Sequence, residues 1–215
     1  MLEVRNAHPS EYDAAGDLVA DLYSTEGWAE SPEYVAELRD VRTRAEHADV
    51  LVAVLDGTLV ACVTLVLNGG PYAESYEPGD AVIRMLATAP EARSQGVGAR
   101  LVDECVSRSR EAGRTAVRLA TQQKMLAAQR LYERAGFLRT PERDWAPVPG
   151  LDLLTYWLPL VFCGQCGEPG THEACLRMLD LEPPRYCTRC RRRMVVQVHP
   201  TGWSARCVEH GTIEG

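Results

Sequence analysis

Eight cysteine and histidine side chains near the end of the chain form four pairs, each with two intervening residues. The pairs are Cys163 with Cys166, His172 with Cys175, Cys187 with Cys190, and Cys207 with His210. Two ligands at this separation can hold one metal ion from a single turn of the chain. The first and third pairs enclose 20 residues, which is typical of zinc sites. We therefore predict that all eight side chains bind metal, with a surface position that binds no metal as the alternative for His172 and His210.

Ligand chemistry leaves the identity of this metal open. Thiolate and imidazole groups suit zinc, and they also suit an iron–sulfur cluster. If two metals bind, combining the first pair with the third and the second with the fourth gives an interleaved arrangement. One site would then hold four cysteines, and the other two cysteines and two histidines. Metal would also stabilise a segment of about 54 residues that has few large apolar side chains. Disulfides are the weaker alternative in a reducing compartment.

A second candidate site is the stretch EARSQGVGARLV, residues 91–102, which precedes a helix-like run. Its glycines, Gly96 and Gly98, let the backbone approach a ligand closely, and the first amides of a helix have no internal partner. These features favour an anion. A dinucleotide fingerprint is excluded because Leu101 occupies the position of the third glycine, and no Walker motif is present. A plain turn at the start of a helix is the alternative.

Periodicity and turn signals predict the elements that position these residues, in the order β-α-α-β-β-β-α-β-α-β. Helices are predicted at about 9–23, 31–47, 96–113 and 124–136. Strands are predicted within 2–7, 49–70, 81–89, 115–122 and 151–160. Ser31 followed by Pro32 is a helix start, and Asp56 with Gly57 is a strong hairpin signal.

Charge and cysteine content divide the chain into two domains, 1–161 and 162–215. The first has 16 basic and 24 acidic residues, a net charge of −8, and the second has 7 and 6, a net charge of +1. A charge of +1 is too weak for a nucleic-acid surface. The longest apolar run, LVACVTLVL, is far below the roughly 20 residues of a membrane helix, and no signal pattern begins the chain. We expect a cytoplasmic protein with no membrane or nucleic-acid partner.

The segments RMLATAPEARSQGVGARLVDECV and RTAVRLATQQKMLAAQRLYERAGF resemble the acetyl-coenzyme A core of the GNAT N-acetyltransferases. The resemblance covers roughly residues 1–160, and the predicted element order is also that of the family. It implies an α/β (α+β) fold, with a mixed, mostly antiparallel sheet flanked by helices. The small domain rich in cysteine and histidine would follow it.

The resemblance also implies roles for particular residues. The coenzyme pyrophosphate would be cradled by Arg93, Ser94, Gln95, Gly96, Val97, Gly98 and Ala99. Leu86 and Thr88 would hydrogen-bond the pantetheine arm through their backbones, and Tyr132 would lie near the thioester sulfur. The family often has asparagine where this chain has Met125, so one polar contact to the arm is in doubt.

The implied reaction is attack of a neutral amine on the thioester, followed by departure of a thiolate. A backbone amide between Leu86 and Thr88 would stabilise the oxyanion, and Tyr132 would protonate the thiolate. Packing in the core is the alternative role of Tyr132. Glu74, Glu77 and Asp80 are candidates for the base. The acceptor, a small-molecule or peptide amine, is left open, and so is a coenzyme A sensor that has lost the chemistry.

The segment LEPPRYCTRCRRRMVVQVHPTGWSARCVEHG resembles the actinobacterial biotin synthase auxiliary proteins. This resemblance covers about residues 162–215. It implies that the second domain helps a biotin synthase convert dethiobiotin to biotin. The arginine run at 191–193 and an exposed Trp203 are candidate docking elements. The alternative is that the arginines only solvate the metal-binding knuckle and that Trp203 packs on it.

Overall fold

The computed structural model describes residues 1–29, 31–73 and 77–215. Glu74, one of the three base candidates, lies outside the described residues. The chain divides into two compact units, Met1–Leu158 and Pro159–Gly215. No helix in the described ranges is long and apolar enough to cross a membrane. Each unit is described by itself below.

The first unit is built on a seven-stranded sheet. Its strands are Leu2–Asn6, Asp49–Leu55, Thr58–Val66, Asp80–Thr88, Ala116–Gln122, Leu138–Arg139 and Leu153–Pro159, numbered β1 to β7. Their order across the sheet is β1-β2-β3-β4-β5-β7-β6. Neighbours from β1 to β4 pair antiparallel, as do β6 and β7, whereas β4 and β5 pair parallel. The prediction of a mixed, mostly antiparallel sheet with flanking helices is confirmed.

The helices of the first unit begin and end largely where local signals place them. They are Tyr12–Thr25, Pro32–Arg39, Val41–Ala45, Val97–Glu111 and Leu126–Arg134, numbered α1 to α5. Ser31 caps α2 as predicted, because its hydroxyl oxygen accepts the amide of Tyr34 at 3.3 Å. Asp56 and Gly57 form the predicted hairpin turn with φ of 49° and 86°, and Leu55 pairs with Thr58 across it.

The single helix predicted over residues 31–47 is wrong, because the chain breaks at Asp40. This residue leaves helical geometry, with ψ of 71°, and its carboxylate caps α3 by accepting the amide of Thr43 at 3.0 Å. Arg44, on α3, is fully buried and folds back onto the end of α2. Its Nη1 donates to the carbonyl oxygens of Glu37 at 2.8 Å and Leu38 at 3.0 Å, which stabilises the break.

Apolar side chains of the central strands alternate between the two faces of the sheet. On one face, Val50, Val52 and Cys62 pack with residues of α1, α2 and α3. Their neighbours Leu51 and Val63 are also fully buried and point to the other face, since successive strand residues face opposite ways. Cys62 and Cys105 are buried free thiols. The central strands are therefore buried on both faces and form a fixed frame for the residues at their ends.

The second unit contains one helix, α6 at Glu173–Leu179, and a three-stranded antiparallel sheet. Its strands are Val195–His199, Gly202–Cys207 and Gly211–Glu214, numbered β8 to β10. The buried cluster in its described residues is small and includes Cys187, Met194, Ala205 and Cys207. A core with so few apolar groups stabilises a unit of this size only weakly. Metal ligation would therefore add to the free energy of folding.

Candidate functional site

A cleft opens in the first unit where β4 and β5 part. The two strands pair from Asp80 with Ala116 to Ile83 with Leu119, and the register ends there although both strands continue. Helices α1, α2 and α5 and strand β7 also contribute to the lining, which includes Tyr23, Tyr34, Gln122, Tyr132 and Leu153.

A bulge in β4 shapes this cleft. Arg84 pairs with Thr64 of β3 and Ala87 pairs with Cys62, so Met85 and Leu86 both face the single residue between them. Met85 adopts a left-handed conformation with φ of 54°. An extra residue of this kind bends a strand and redirects its backbone groups. The edge of β4 that faces β5 is left without a register partner after Ile83.

The glycine-containing turn lies directly after β4. Ser94 and Gly96 have φ of 60° and 79°, and Gly96 is the N-cap of α4. No backbone acceptor is recorded for the amides of residues 94–99 within the described ranges. Successive amides with alternating conformations form a concave anion-binding nest. Arg93, beside the turn, forms an exposed ion pair with Glu26 at 2.9 Å.

Tyr132 of α5 lines the cleft together with Leu86. Its side chain is buried, and its ring packs near Phe137 and Tyr156, with centroid distances of 5.9 and 6.1 Å. Burial raises the pKa of Tyr132, and the nearby Cys105 and Tyr156 add to the effect. The phenol is therefore protonated at neutral pH.

The base candidates Glu77 and Asp80 lie at the opposite end of β4 from the bulge. Asp80 is buried and its carboxylate accepts from Arg118 at 2.5 Å and from Thr115 at 3.0 Å. Glu77 pairs with Arg118 at 3.0 Å and with Arg143. Neither carboxylate lines the described cleft. Both carboxylates connect β5 to the start of β4 and to the loop that precedes it. The sequence alone did not indicate this structural role.

The second unit brings the eight predicted metal ligands together in two clusters. Cluster 1 contains Cys163, Cys166, His172 and Cys175, and cluster 2 contains Cys187, Cys190, Cys207 and His210. Within each cluster the ligand atoms all lie within 4.8 Å of one another. The interleaved grouping is therefore wrong: the first pair joins the second, and the third joins the fourth. Each cluster offers three thiols and one imidazole.

Distances within the clusters suit one tetrahedral ion each. Four ligands bonded to zinc at about 2.3 Å lie about 3.8 Å apart. The Nδ1 atom of His172 lies 3.4 Å from the Cys166 sulfur, and the sulfurs of Cys190 and Cys207 are 3.7 Å apart. All eight cysteines of the chain are free thiols.

Backbone amides favour the thiolate form of one cysteine in each cluster. Burial alone would raise the pKa of Cys163, but amides of Cys166 and Gln165 hydrogen-bond its sulfur, and the pKa is lowered to about 6. The amide of Glu209 is the main cause that lowers the pKa of Cys207 to about 6. Metal ligation requires the thiolate, so this geometry prepares both sulfurs for it.

Of the candidate docking elements, Trp203 is less accessible than the sequence suggested, whereas the arginines at 191–193 are exposed. Trp203 is partly buried and packs against the small core of the second unit. Arg191 pairs with Glu168 at 2.5 Å, and Arg192 pairs with Glu209. The expectation of an exposed Trp203 is wrong, because β9 turns the indole towards the cluster of Cys187 and Cys207.

Comparison with known proteins gives different relatives for the two units. The sequence model of the Acetyltransferase (GNAT) family matches residues 13–137, and that of the Biotin synthase auxiliary protein family matches residues 194–215. The biotin synthase auxiliary protein of Mycobacterium tuberculosis is 48% identical over 54 residues, which are 25% of this chain and 66% of that protein. The chain thus spans just under two thirds of that relative.

Solved structures show the fold of the first unit. An acetyltransferase of the GNAT family from Staphylococcus aureus superposes with a TM-score of 0.61 at 15% identity, covering 74% of this chain and 99% of that one. YncA from Salmonella typhimurium, solved with its cofactor acetyl-CoA, gives a TM-score of 0.53 at 15% identity, covering 74% and 94%. Because the first family model spans more than half of the sequence, the chain belongs to the acetyltransferase (GNAT) family.

Proposed function

We propose that the first unit transfers an acetyl group from acetyl-CoA to the nitrogen of an amine. The observation that carries this proposal is the cleft between β4 and β5, which has the amide nest at residues 94–99 after one of its strands and Tyr132 in its wall. Family membership supports the same activity. A coenzyme A sensor without chemistry is the alternative, and turnover separates the two.

The nest fits the pyrophosphate of coenzyme A. Amides aimed at a charged oxygen contribute about 1.5 to 3 kcal/mol each, whereas the net charge of −8 is largely screened beyond about 8 Å. Local donors therefore outweigh the repulsion between the unit and the anionic cofactor. Arg93 adds a guanidinium that can exchange its exposed partner Glu26 for phosphate, because surface ion pairs contribute little.

The edge of β4 that faces β5 has no register partner after Ile83, and this edge fits the pantetheine arm. The carbonyl oxygens of Leu86 and Thr88 accept only long side-chain bonds, from Tyr23 at 3.4 Å and from Arg93 at 3.5 Å. On the other edge of β4, Ala87 and Thr88 already pair with β3. The arm contains amide groups, and a peptide-like segment can extend a sheet by hydrogen bonding to an unpaired strand edge. Backbone groups of Leu86 and Thr88 would bind the arm, and an amide in this stretch would stabilise the oxyanion that forms on the thioester carbonyl.

Tyr132 is the proposed proton donor. As the amine nitrogen bonds to the acetyl carbon, the carbon–sulfur bond breaks and the sulfur takes a proton. The buried phenol holds that proton over the neutral range, since burial raises the pKa of Tyr132. A positioned general acid accelerates a reaction about 10²- to 10⁴-fold. The nitrogen proton leaves to solvent or to a group that the described cleft does not identify.

Each cluster of the second unit is proposed to hold one zinc ion. The mutual distances of 3.4 to 3.7 Å carry this choice. The ligands of an iron–sulfur cluster bind different iron atoms and so lie farther apart. Zinc bound to three cysteines and one histidine is a closed structural site, which supplies folding free energy to a unit with a small core.

The second unit is also proposed to assist a biotin synthase. Its similarity to the Mycobacterium tuberculosis auxiliary protein, 48% identity over 54 residues, supports this role. The test adds the full chain to a biotin synthase with dethiobiotin and measures biotin. A gain in biotin that the Cys187→Ser variant fails to give would support the role. No gain with the zinc-loaded chain would refute it.

The acetyltransferase proposal is tested with the full chain in two steps. Calorimetry with acetyl-CoA measures binding, and release of free thiol with a panel of amines measures transfer. Binding followed by amine-dependent release is the expected result. Binding with no release from any amine would support the sensor, and absence of binding would refute both.

Substitution of Gly96 by alanine is expected to weaken acetyl-CoA binding at least about 10-fold. Gly96 has φ of 79°, where a side chain costs about 1 to 2 kcal/mol, and relaxation of this strain would turn nest amides away from the phosphate. Gly57→Ala is the matched control. Gly57 has φ of 86°, and at both positions a Cβ meets nothing within 4 Å. Both variants should lose similar stability; equal acetyl-CoA affinity in both would contradict the nest.

A further inference from the structure

Lysine is almost absent from this chain. Of its 23 basic residues all but one are arginines, and Lys124 is the single lysine. It is exposed, and it lies in the turn between β5 and α5 among residues that line the cleft, Gln122 before it and Met125 after it. A lysine amine can lose its proton and accept an acetyl group, whereas a guanidinium stays charged in proteins. Lys124 is therefore the one side chain of the sequence that carries a primary amine.

The segment that follows α1 holds this amine beside the cleft. The Nζ atom of Lys124 donates to the carbonyl oxygen of Gly27. The next carbonyl oxygen, that of Trp28, accepts the Nε2 of Gln122 at 2.6 Å. The Trp28 ring packs edge-on against Tyr23, with 5.5 Å between the centroids, and Tyr23 lines the cleft. Adjacent carbonyl groups thus bind the Lys124 amine and a side chain of the cleft wall.

The cleft wall also contains an acceptor for an amine hydrogen. Because Nε2 of Gln122 donates to Trp28, the orientation of the side-chain amide is fixed and its Oε1 is the other end. That oxygen is buried and accepts no hydrogen bond from any described residue. Gln122 is only 6% exposed, and a buried oxygen without a donor is destabilising. An N–H group that enters the cleft would remove this cost.

Lys124 is suited to supply that N–H group. It follows Gln122 by two residues, and its amine is carried on a flexible four-carbon stem. Its present hydrogen bond to Gly27 is exposed to solvent. Water can replace an exposed partner at little net cost, so the amine is free to exchange Gly27 for the buried oxygen.

We infer that the chain acetylates its own Lys124 when no external amine occupies the cleft. The inference rests on the proposed acetyl transfer, with the Lys124 amine as the acceptor. Nζ first gives one proton to solvent and then attacks the acetyl carbon, so that a carbon–nitrogen bond forms and the carbon–sulfur bond breaks. Tyr132 gives its proton to the departing thiolate, and the second proton lost from nitrogen replaces it through solvent. The products are an acetylated Lys124 and free coenzyme A.

The test incubates the full chain with acetyl-CoA and no added amine, and maps acetylation by mass spectrometry of the chain and its peptides. One acetyl group on Lys124 is expected, with loss of tryptic cleavage after this residue. The rate constant should not change with protein concentration, because donor site and acceptor belong to one molecule. The α-amino group at Met1, which pairs with Asp56, lies on a different peptide and is scored separately. Lys124→Arg should acquire no acetyl group at this position while it still binds acetyl-CoA.

Arg110→Lys supplies a matched control within the same molecule. Position 110 is exposed on α4, about 20 Å along the helix axis from Gly96 at about 1.5 Å per residue. Chemical acetylation by free acetyl-CoA should modify both lysine side chains equally. Transfer in the cleft should instead modify Lys124 at least about 10-fold faster than the side chain introduced at position 110.

Three results would overturn the inference: an unmodified Lys124, equal rates at positions 124 and 110, or a rate constant that rises in proportion to protein concentration. The proposed function is decided separately, by thiol release from acetyl-CoA with the panel of external amines. Release with those amines and no acetyl group on Lys124 would leave acetyl transfer standing and refute only self-acetylation. Binding of acetyl-CoA without release and without acetylation of Lys124 would refute both.

Discussion

Replacing Tyr132 by phenylalanine should lower kcat for acetyl transfer about 100-fold or more, with acetyl-CoA affinity within about twofold of the original. The change removes only the hydroxyl, and the ring keeps its contacts with Phe137 and Tyr156. A lost general acid costs about 10²- to 10⁴-fold, whereas lost packing would reduce the folded fraction. Thiol release at saturating acceptor measures kcat, and calorimetry measures affinity.

Tyr156→Phe is the matched control for this experiment. Tyr156 is equally buried, and its ring contacts Tyr132, but its hydroxyl donates to Glu133 at 3.4 Å. Because burial raises the pKa of Tyr132, the rate should also show no alkaline fall from loss of this proton below about pH 9. Equal losses in the two variants would assign Tyr132 to packing, and so would an unchanged kcat for Tyr132→Phe.

Two double variants should divide the metal content of the chain in opposite ways. Cys163→Ser with Cys175→Ser removes two ligands of cluster 1 and should leave one zinc per chain. Cys163→Ser with Cys187→Ser removes one ligand from each cluster and should leave much less than one. Each zinc contributes an apparent 10 to 16 kcal/mol in small zinc domains, so the second double variant should unfold the second unit. Elemental analysis of purified protein measures the zinc content.

The interleaved arrangement predicts the reverse result, with both metals lost from the first double variant and one retained by the second. His199→Ala is a suitable control, since His199 is exposed and lies outside both clusters. It should retain two zinc ions. Acetyl-CoA affinity of the first unit measures whether unfolding is confined to the second. A metal content near zero in the unaltered chain, with the thiols reduced, would contradict both groupings.

Local signals predicted much of the fold because they act over a few residues. The cap at Ser31 and the turn at Asp56 need only their neighbours, and both are present. The break at Asp40 could not be read in the same way. It depends on Arg44 reaching the end of α2, and a helical periodicity continues through it.

The residues that could bind metal were also easier to predict than the grouping of those residues into sites. The spacing within each pair is local, but the grouping of four pairs depends on loop paths, and several combinations satisfy the same spacing. The interleaved choice was therefore wrong although the residues assemble. Asp80 illustrates the same limit, because its ion pair joins β4 to Arg118 of β5, a residue distant in the sequence.

The sequential order of the clusters has a consequence for biosynthesis. Cluster 1 closes within residues 163–175 and cluster 2 within 187–210, so neither waits for a ligand from the other. Short loops close at low entropic cost, and local contacts form early. The four ligands of cluster 1 are therefore synthesised before any ligand of cluster 2, and cluster 1 takes no ligand from later residues. A chain that stopped after Leu181 would still contain all four of them.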